Sequence, residues 1–121
     1  MIEPWITTWS KWVYSTFHHE PIYLDAVEWE FPSAGPLSGA NMAMPWIIFE
    51  RDRRIFEREF AEFHIQTIEP MMPFRYLLSG GVSMRQLMPG WTYSFWRYME
   101  RFFRPCMSSS AMFAKIVLVR K

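Results

Sequence analysis

The sequence predicts an α/β fold with several helices and two to three strands, and three patterns support this prediction. Apolar residues recur at three- and four-residue steps in residues 6–18, 51–63 and 91–104, which is the spacing of one helix face. Residues 112–119 form a nearly continuous apolar run rich in β-branched side chains, which is typical of a strand buried between layers. Residues 64–69 are predicted to form a shorter strand, stopped by the proline that follows.

The first predicted helix is bounded by polar caps and a proline. Thr7, Thr8 and Ser10 offer cap oxygens at its start. Pro21 ends it, because the residue before a proline avoids the α region. Residues 22–37 contain two prolines, one glycine and three acidic residues, so we predict an irregular segment there.

Prolines also bound the later helices. Pro45 delays or bends a short helix over residues 41–50, and Pro105 ends the last long helix. The serines of residues 108–110 are predicted to form a loop before the final strand. The charges within residues 51–63 indicate a solvated helix face rather than a nucleic-acid-binding patch.

The turn Ser79-Gly80-Gly81 is the most informative feature of residues 73–87. A Gly-Gly pair inside an apolar stretch indicates backbone with positive φ or a close approach to another group. Two interpretations stay open: a loop that delivers a short helix, residues 82–88, to the core, or a wall of a ligand pocket. Four side chains put hydrogen-bonding groups around this turn: Arg75, Tyr76, Ser79 and Ser83.

The composition is that of one globular domain with an excess of aromatic residues. Hydrophobic residues make up 50% of the 121 residues and charged residues 21%. Aromatic residues make up 19%, including 7 Trp and 11 Phe, which is more than a domain of this size easily buries. We therefore expect some of them to face a ligand, a lipid surface, a partner chain or a missing part of the same protein.

Charge, cysteine content and hydropathy exclude several classes. The net charge of +1 gives no support to nucleic-acid binding. The single Cys106 rules out an internal disulfide, and with only three histidines it argues against structural zinc. No run of 18 apolar residues and no apolar leader segment are present, so a cytoplasmic protein is predicted.

His18, His19 and Glu20 form the main cluster of titratable groups with catalytic potential. A neutral imidazole can act as a general base near neutral pH, and a carboxylate can orient it. Adjacent helical residues point about 100° apart, so at most one of the two imidazoles faces a given pocket. The alternative is that a histidine interacts with the dipole at the end of the helix.

Three more residues have two interpretations each. Glu69 is either a pocket carboxylate or a solvated strand end, and Arg75 either clamps an acidic substrate group or is a surface residue. Asn41 is either a helix cap or a ligand contact. No glycine-rich nucleotide loop or hydrolase motif is present.

Five segments resemble the C-terminal half of bacterial class I S-adenosylmethionine-dependent methyltransferases of the type 11 kind. They are MIEPW, TTWSKWVYSTFHHEP, SGANMAMPWIIFERDRRIFEREF, FRYLLSGGVSMRQLMPGW and MFAKIVLVRK. The resemblance runs over essentially the whole chain. Its most specific pieces are HHEP, the N-x-A-x-P helix start and the YLLSGGVS turn.

The resemblance implies a partial Rossmann-like methyltransferase fold in a single domain, residues 1–121. Residues 1–5 would match the end of the fifth sheet strand and residues 64–69 the sixth. Residues 112–119 would match the seventh, which lies antiparallel between the fifth and the sixth. The segments before and after the sixth strand, residues 6–41 and 71–104, would form the lid over the substrate.

The resemblance also implies a function. The glycine-rich loop and the ribose-binding acid of the family are missing from this sequence, so we expect no cofactor to bind this chain alone. S-adenosylmethionine and methyl transfer would require a cofactor-binding half, whether the chain is a fragment, has a misplaced start or is a lid subunit. The expected partners are a small-molecule substrate and a second copy or a cofactor-binding chain, with no nucleic acid. The expected catalytic residues are His18 and His19, and the expected substrate-binding residues are Glu20, Asn41, Arg75, Tyr76, Ser79, Gly80 and Gly81.

A second hypothesis is a non-enzymatic interaction module whose aromatic helices dock on a partner protein or, as the less favoured choice, on a membrane surface. Burial of the same rings in a core or a dimer interface is the simpler explanation. The aromatic residues in question are Trp5, Trp9, Trp12 and Phe17, and Trp91, Trp96, Phe102 and Phe103 beside Arg97, Arg101 and Arg104.

Overall fold

A computed structural model describes residues 1–17, 22–30, 41–81 and 88–121. Over these ranges the chain is mixed α/β, as predicted, with one three-stranded sheet and about six α-helices. The strands are β1 (Ile2–Pro4), β2 (Phe63–Met71) and β3 (Phe113–Arg120). The helices are α1 (Thr8–Phe17), α2 (Met44–Trp46), α3 (Arg53–Glu59), α4 (Arg75–Leu78), α5 (Tyr93–Phe102) and α6 (Met107–Ser110). A π-helical turn (Ile47–Arg51) follows α2, and 3₁₀ turns (Gly90–Thr92, Arg104–Cys106) flank α5.

The sheet has the order β1-β3-β2, and β3 is antiparallel to both neighbours. Ile2 lies opposite Lys115, and Met71 lies opposite Phe113. A bulge between Ile65 and Thr67 shifts the register of β2. The antiparallel pairing of the last two strands is confirmed, and the order of the three strands is the one that the resemblance implies.

Pro70 does not end β2, contrary to the sequence prediction. The strand continues through it to Met71. Among the described strands, β2 pairs with β3 only, so it is an edge strand, where a proline without an N–H group is tolerated.

Two side chains cap α1 reciprocally. The Thr7 N–H donates to Ser10 Oγ at 2.7 Å, and the Ser10 N–H donates to Thr7 Oγ1 at 3.1 Å. Both residues are buried, and Thr7 Oγ1 also donates to the Ala111 carbonyl at 2.8 Å. The predicted cap is therefore confirmed, and it also ties the start of α1 to the segment before β3.

The middle helices differ from the prediction in their boundaries. Met44 begins α2 and Pro45 lies in its first turn, so the helix starts late, as expected. The predicted helix over residues 51–63 is shorter, because the π-helical turn ends at Arg51 and α3 ends at Glu59.

Residues 22–30 are irregular, as predicted, and hydrogen bonds from two polar side chains hold this segment against the middle of the chain. Asn41 Oδ1 accepts from the Tyr23 N–H at 2.9 Å, and its amide donates to the Tyr23 carbonyl at 2.7 Å. The Arg51 guanidinium donates to the Leu24 and Ala26 carbonyls at 2.6 and 2.7 Å. Backbone groups that lack secondary-structure partners are thereby satisfied.

Two segments predicted as loops contain short helices. α4 precedes the glycine turn, and α6 replaces the predicted loop of residues 108–110. In α6 the Ser110 hydroxyl donates to the Cys106 carbonyl at 2.7 Å, which satisfies a backbone acceptor within one helical turn.

The main core cluster covers one face of the sheet. Ile65, Ala114 and Ile116 pack with Phe49 and Phe56 in a buried cluster. Lys115 and Val119 on β3 are exposed, so the expectation of a strand buried between two layers is wrong for the described structure. At the start of β3, Phe113 packs with a second buried cluster, which contains Val13, Tyr14 and Met112.

Candidate functional site

An open cleft of about 510 Å³ lies between the end of β2 and α5. Its floor is the C-terminal end of β2, and one wall is the arginine-bearing side of α5. The residues that line it are Glu69, Pro70, Met71, Met72, Arg75, Arg97, Glu100, Arg101, Arg104 and Met107.

Arg75 is fixed at the base of the cleft by a buried ion pair. Its Nε donates to Glu100 Oε2 at 2.5 Å, and its backbone N–H donates to Glu100 Oε1 at 3.2 Å. A terminal guanidinium nitrogen donates to the Tyr93 hydroxyl at 2.7 Å. The guanidinium carbon also lies 5.3 Å from the centre of the Tyr93 ring. Arg75 on α4 is thus oriented by two residues of α5.

Glu100 is the one buried residue of α5, with 5% of its surface exposed. A carboxylate at such a position is retained only when it is paired, and Arg75 supplies both the opposite charge and the hydrogen bonds. The pair therefore joins α4 to α5 and holds the cleft together.

Three further arginines give the cleft a positive wall. Arg97, Arg101 and Arg104 follow one another at four and three residues, so they lie along one side of α5 and its 3₁₀ extension. None of them has an ion pair or side-chain hydrogen bond with the described part of the chain. Since Glu100 neutralises Arg75, these three cations are opposed in the lining only by Glu69.

Met72 in the cleft floor has a strained backbone, with φ of 55°. A non-glycine residue in the left-handed region costs about 1–2 kcal/mol. Such strain is tolerated where the surrounding structure fixes it and is common at functional sites. Here it turns the chain from β2 towards α4.

Of the residues predicted from the sequence to form the site, Arg75 lines the cleft. The turn that follows α4 does not line it, and neither does Tyr76. Ser79 Oγ donates to the Tyr76 carbonyl at 3.0 Å, and the Tyr76 ring packs edge-on against Phe113. Asn41 does not line the cleft, and its side chain instead forms hydrogen bonds with the backbone of Tyr23. Its helix-capping interpretation is supported, because Oδ1 also accepts from the Ala43 N–H at 3.1 Å.

The predicted catalytic cluster, His18, His19 and Glu20, lies outside the described residues, as does the predicted helix of residues 82–88 apart from Met88. In the described ranges, no three His, Cys, Asp or Glu side chains come together as a metal-binding group. The cleft lining supplies several guanidinium groups, which can bind and orient an anion.

Sequence reasoning did not identify the buried role of Glu100 or assign the α5 arginines to a cleft. The spacing of Arg97, Arg101 and Arg104 was the available signal, since it places three cations on one helix side. It does not reveal what that side faces.

Comparison of the chain with models of protein families, with curated proteins and with solved structures finds no match. Over the described residues, no helix is both long enough and apolar enough to cross a bilayer.

Proposed function

We propose that this chain is the substrate-recognition and lid half of a methyltransferase-like protein, and that its cleft binds a small molecule carrying an anionic group. Methyl transfer from S-adenosylmethionine then depends on a cofactor-binding half, and this chain contributes substrate binding. The cytoplasmic location predicted from the sequence belongs to the same proposal.

The observation that carries the proposal is the position of the cleft at the carboxyl end of β2. In open α/β sheets, ligands bind outside the carboxyl ends of the strands. The cleft also lies between β2 and the segment of residues 71–104, which is where the resemblance implies the substrate and its lid. The sheet order β1-β3-β2 supports the same reading.

The cleft arginines contribute to anion binding in two ways. Arg75 is held rigidly by Glu100 and Tyr93, so little side-chain entropy is lost when it contacts a ligand. Arg97 and Arg101 are exposed and unpaired in the described structure, and they supply charge and geometry for carboxylate or phosphate oxygens. Holding the substrate in this way provides the in-line positioning that methyl transfer needs.

The binding experiment is calorimetry with pyrophosphate, citrate and, as a cationic probe, spermidine. We expect the two anions to bind and spermidine not to bind. R97Q/R101Q should weaken anion binding roughly a hundredfold, since two charge-assisted hydrogen bonds are lost and each costs about 1.5 kcal/mol. R54Q/R58Q, which removes two exposed arginines from α3, is the matched control and should bind as the native chain does. Equal binding by both variants contradicts the proposal.

A second calorimetric experiment tests whether S-adenosylmethionine is bound by a separate half and not by this chain. S-adenosylmethionine added to this chain alone should give no binding, because the glycine-rich loop of the family is not in the sequence. A micromolar dissociation constant contradicts the claim that the cofactor is held elsewhere.

A further inference from the structure

The outer side of α5 carries a row of exposed aromatic side chains. Within α5, spacings of three and four residues place Phe95, Tyr98 and Phe102 within about 60° of one another around the helix, and Trp91 precedes them in the 3₁₀ turn. The exposed fractions are 84% for Trp91, 58% for Phe95, 58% for Tyr98 and 66% for Phe102. We call these four residues the aromatic stripe.

The arrangement of α5 is the reverse of an ordinary surface helix. Its buried residue is the charged Glu100, and three of its aromatic residues, Phe95, Tyr98 and Phe102, are more than half exposed. A surface helix normally buries its apolar stripe against the core. Contiguous apolar surface of this kind on a protein marks an interaction site.

Aromatic contacts continue from the end of α5 towards α1. Phe103 packs on Phe74 at 4.9 Å between ring centres, and Phe74 packs on Trp9 at 6.2 Å. Trp9 stacks on the exposed Trp12 at 5.3 Å. A chain of aromatic contacts therefore links the end of α5 to a further exposed ring, Trp12.

Arg97, Arg101 and Arg104 lie about a third of a turn from the aromatic stripe. Long arginine side chains on the flank of an apolar helix face can extend along it and keep their charge at its edge. An apolar aromatic face with a cationic flank is the pattern of helices that lie in the headgroup region of a membrane.

Charge decides between a lipid surface and a second copy of the chain as the occupant. The only acid of α5 is Glu100, and Arg75 already pairs with it in the interior. A second copy that packed its α5 on this one would bring three more arginines and no available carboxylate of that helix. Anionic headgroups supply the missing negative charge.

We propose that the aromatic stripe and its flanking arginines dock this protein on the surface of a bilayer that contains anionic lipids. The rings enter the headgroup region, and the guanidinium groups bind lipid phosphates. This inference does not rest on the proposed methyltransferase function, because it needs no substrate in the cleft. The aromatic stripe lies on a different side of α5 from the cleft, and the arginines between them serve both surfaces.

The test is co-sedimentation of the full chain with phosphatidylcholine vesicles, with and without phosphatidylglycerol, at low and high salt. We expect binding to the anionic vesicles that weakens as salt rises. Added glycerol 3-phosphate, the soluble form of the same phosphate chemistry, should not displace the protein, because it offers no apolar phase for the rings. Equal binding to neutral vesicles, or full displacement by glycerol 3-phosphate, overturns the proposal.

Two variants test the arginines and the aromatic rings in turn, and the second one distinguishes vesicle binding from anion binding in the cleft. R97Q/R101Q should lower vesicle binding about thirtyfold, since each arginine near an anionic surface contributes about 1 kcal/mol. F95S/F102S should lower it by roughly tenfold or more while leaving pyrophosphate binding unchanged. R54Q/R58Q is again the control, and circular dichroism checks that each variant is folded.

Two outcomes contradict the proposal. One is vesicle binding by F95S/F102S equal to that of the native chain. The other is a stable dimer in analytical ultracentrifugation that F95S/F102S abolishes, because the stripe is then covered by a second copy.

Discussion

At the scale of single residues, the Gly80-Gly81 pair correctly predicted an unusual backbone conformation but did not show whether a ligand binds there. Gly80 has φ of 90°, which a side chain would strain. A Cβ atom on Gly81 would lie 2.3 Å from the Tyr76 ring. The two reasons for which glycine was expected here are therefore both present, and the close approach is to a tyrosine of the same chain.

Gly81→Ala is expected to lower the free energy of unfolding by about 1–3 kcal/mol, because the Tyr76 ring must move away from Phe113 to make room. Gly90→Ala is the matched control, since no atom lies within 4 Å of its added Cβ. Urea unfolding of both variants measures the difference. Equal stability of the two variants would show that the Tyr76 contact does not constrain position 81.

At the scale of elements, the ion pair between Arg75 and Glu100 connects α4 with α5. Breaking a buried pair by removing one partner costs about 3–5 kcal/mol, because it leaves the other charge unpaired. Glu100→Ala is therefore expected to lower the midpoint of urea unfolding strongly. The exposed pair Arg53–Glu57 is the comparison, and Glu57→Ala should cost about 0.3–0.5 kcal/mol.

A double variant keeps this prediction testable if Glu100→Ala does not fold. R75M/E100L removes both charges together and should recover most of the lost stability, because no buried charge is left unpaired. If the double variant is no more stable than Glu100→Ala, the loss comes from packing and not from the unpaired arginine.

At the scale of the whole molecule, the backbone of Met112 joins four parts of the fold. Its carbonyl accepts from the Trp5 N–H at 2.9 Å and from the Tyr14 hydroxyl at 2.5 Å, and its N–H donates to the Met71 carbonyl at 3.2 Å. The segment after β1, helix α1 and the end of β2 thus meet just before β3.

Tyr14 makes this junction sensitive to alkaline pH. Burial, and to a lesser extent the nearby Tyr76, raises the pKa of its phenol far above the usual value of about 10. A raised folded-state pKa gives stability that is complete below the unfolded pKa. Above about pH 10 the unfolded chain loses this proton while the folded chain keeps it, so stability should fall as pH rises.

Tyr14→Phe is expected to reduce this alkaline loss of stability while costing about 1 kcal/mol at neutral pH for the lost hydrogen bond. Urea unfolding between neutral and alkaline pH, with the exposed Tyr23→Phe as control, measures both effects. If the free energy of unfolding of Tyr14→Phe falls as steeply at alkaline pH as that of the native chain, groups other than Tyr14 cause the fall.

Local patterns alone determined much of the architecture. Apolar spacing placed α1, α5 and β3, prolines set the late start of α2, and the glycine pair located the turn after α4. These features depend on φ and ψ preferences and on side-chain period, which are properties of a few consecutive residues.

The tertiary structure alone decided which side of each element faces inward. Periodicity shows that Phe95, Tyr98 and Phe102 share one side of α5, and it gives no information on what that side contacts. The pairing of Glu100 with Arg75, 25 residues away in sequence, turns the aromatic side outward and the arginines towards the end of β2. Such a contact depends on the free energy of pairing two distant charges in the interior, which no local window contains.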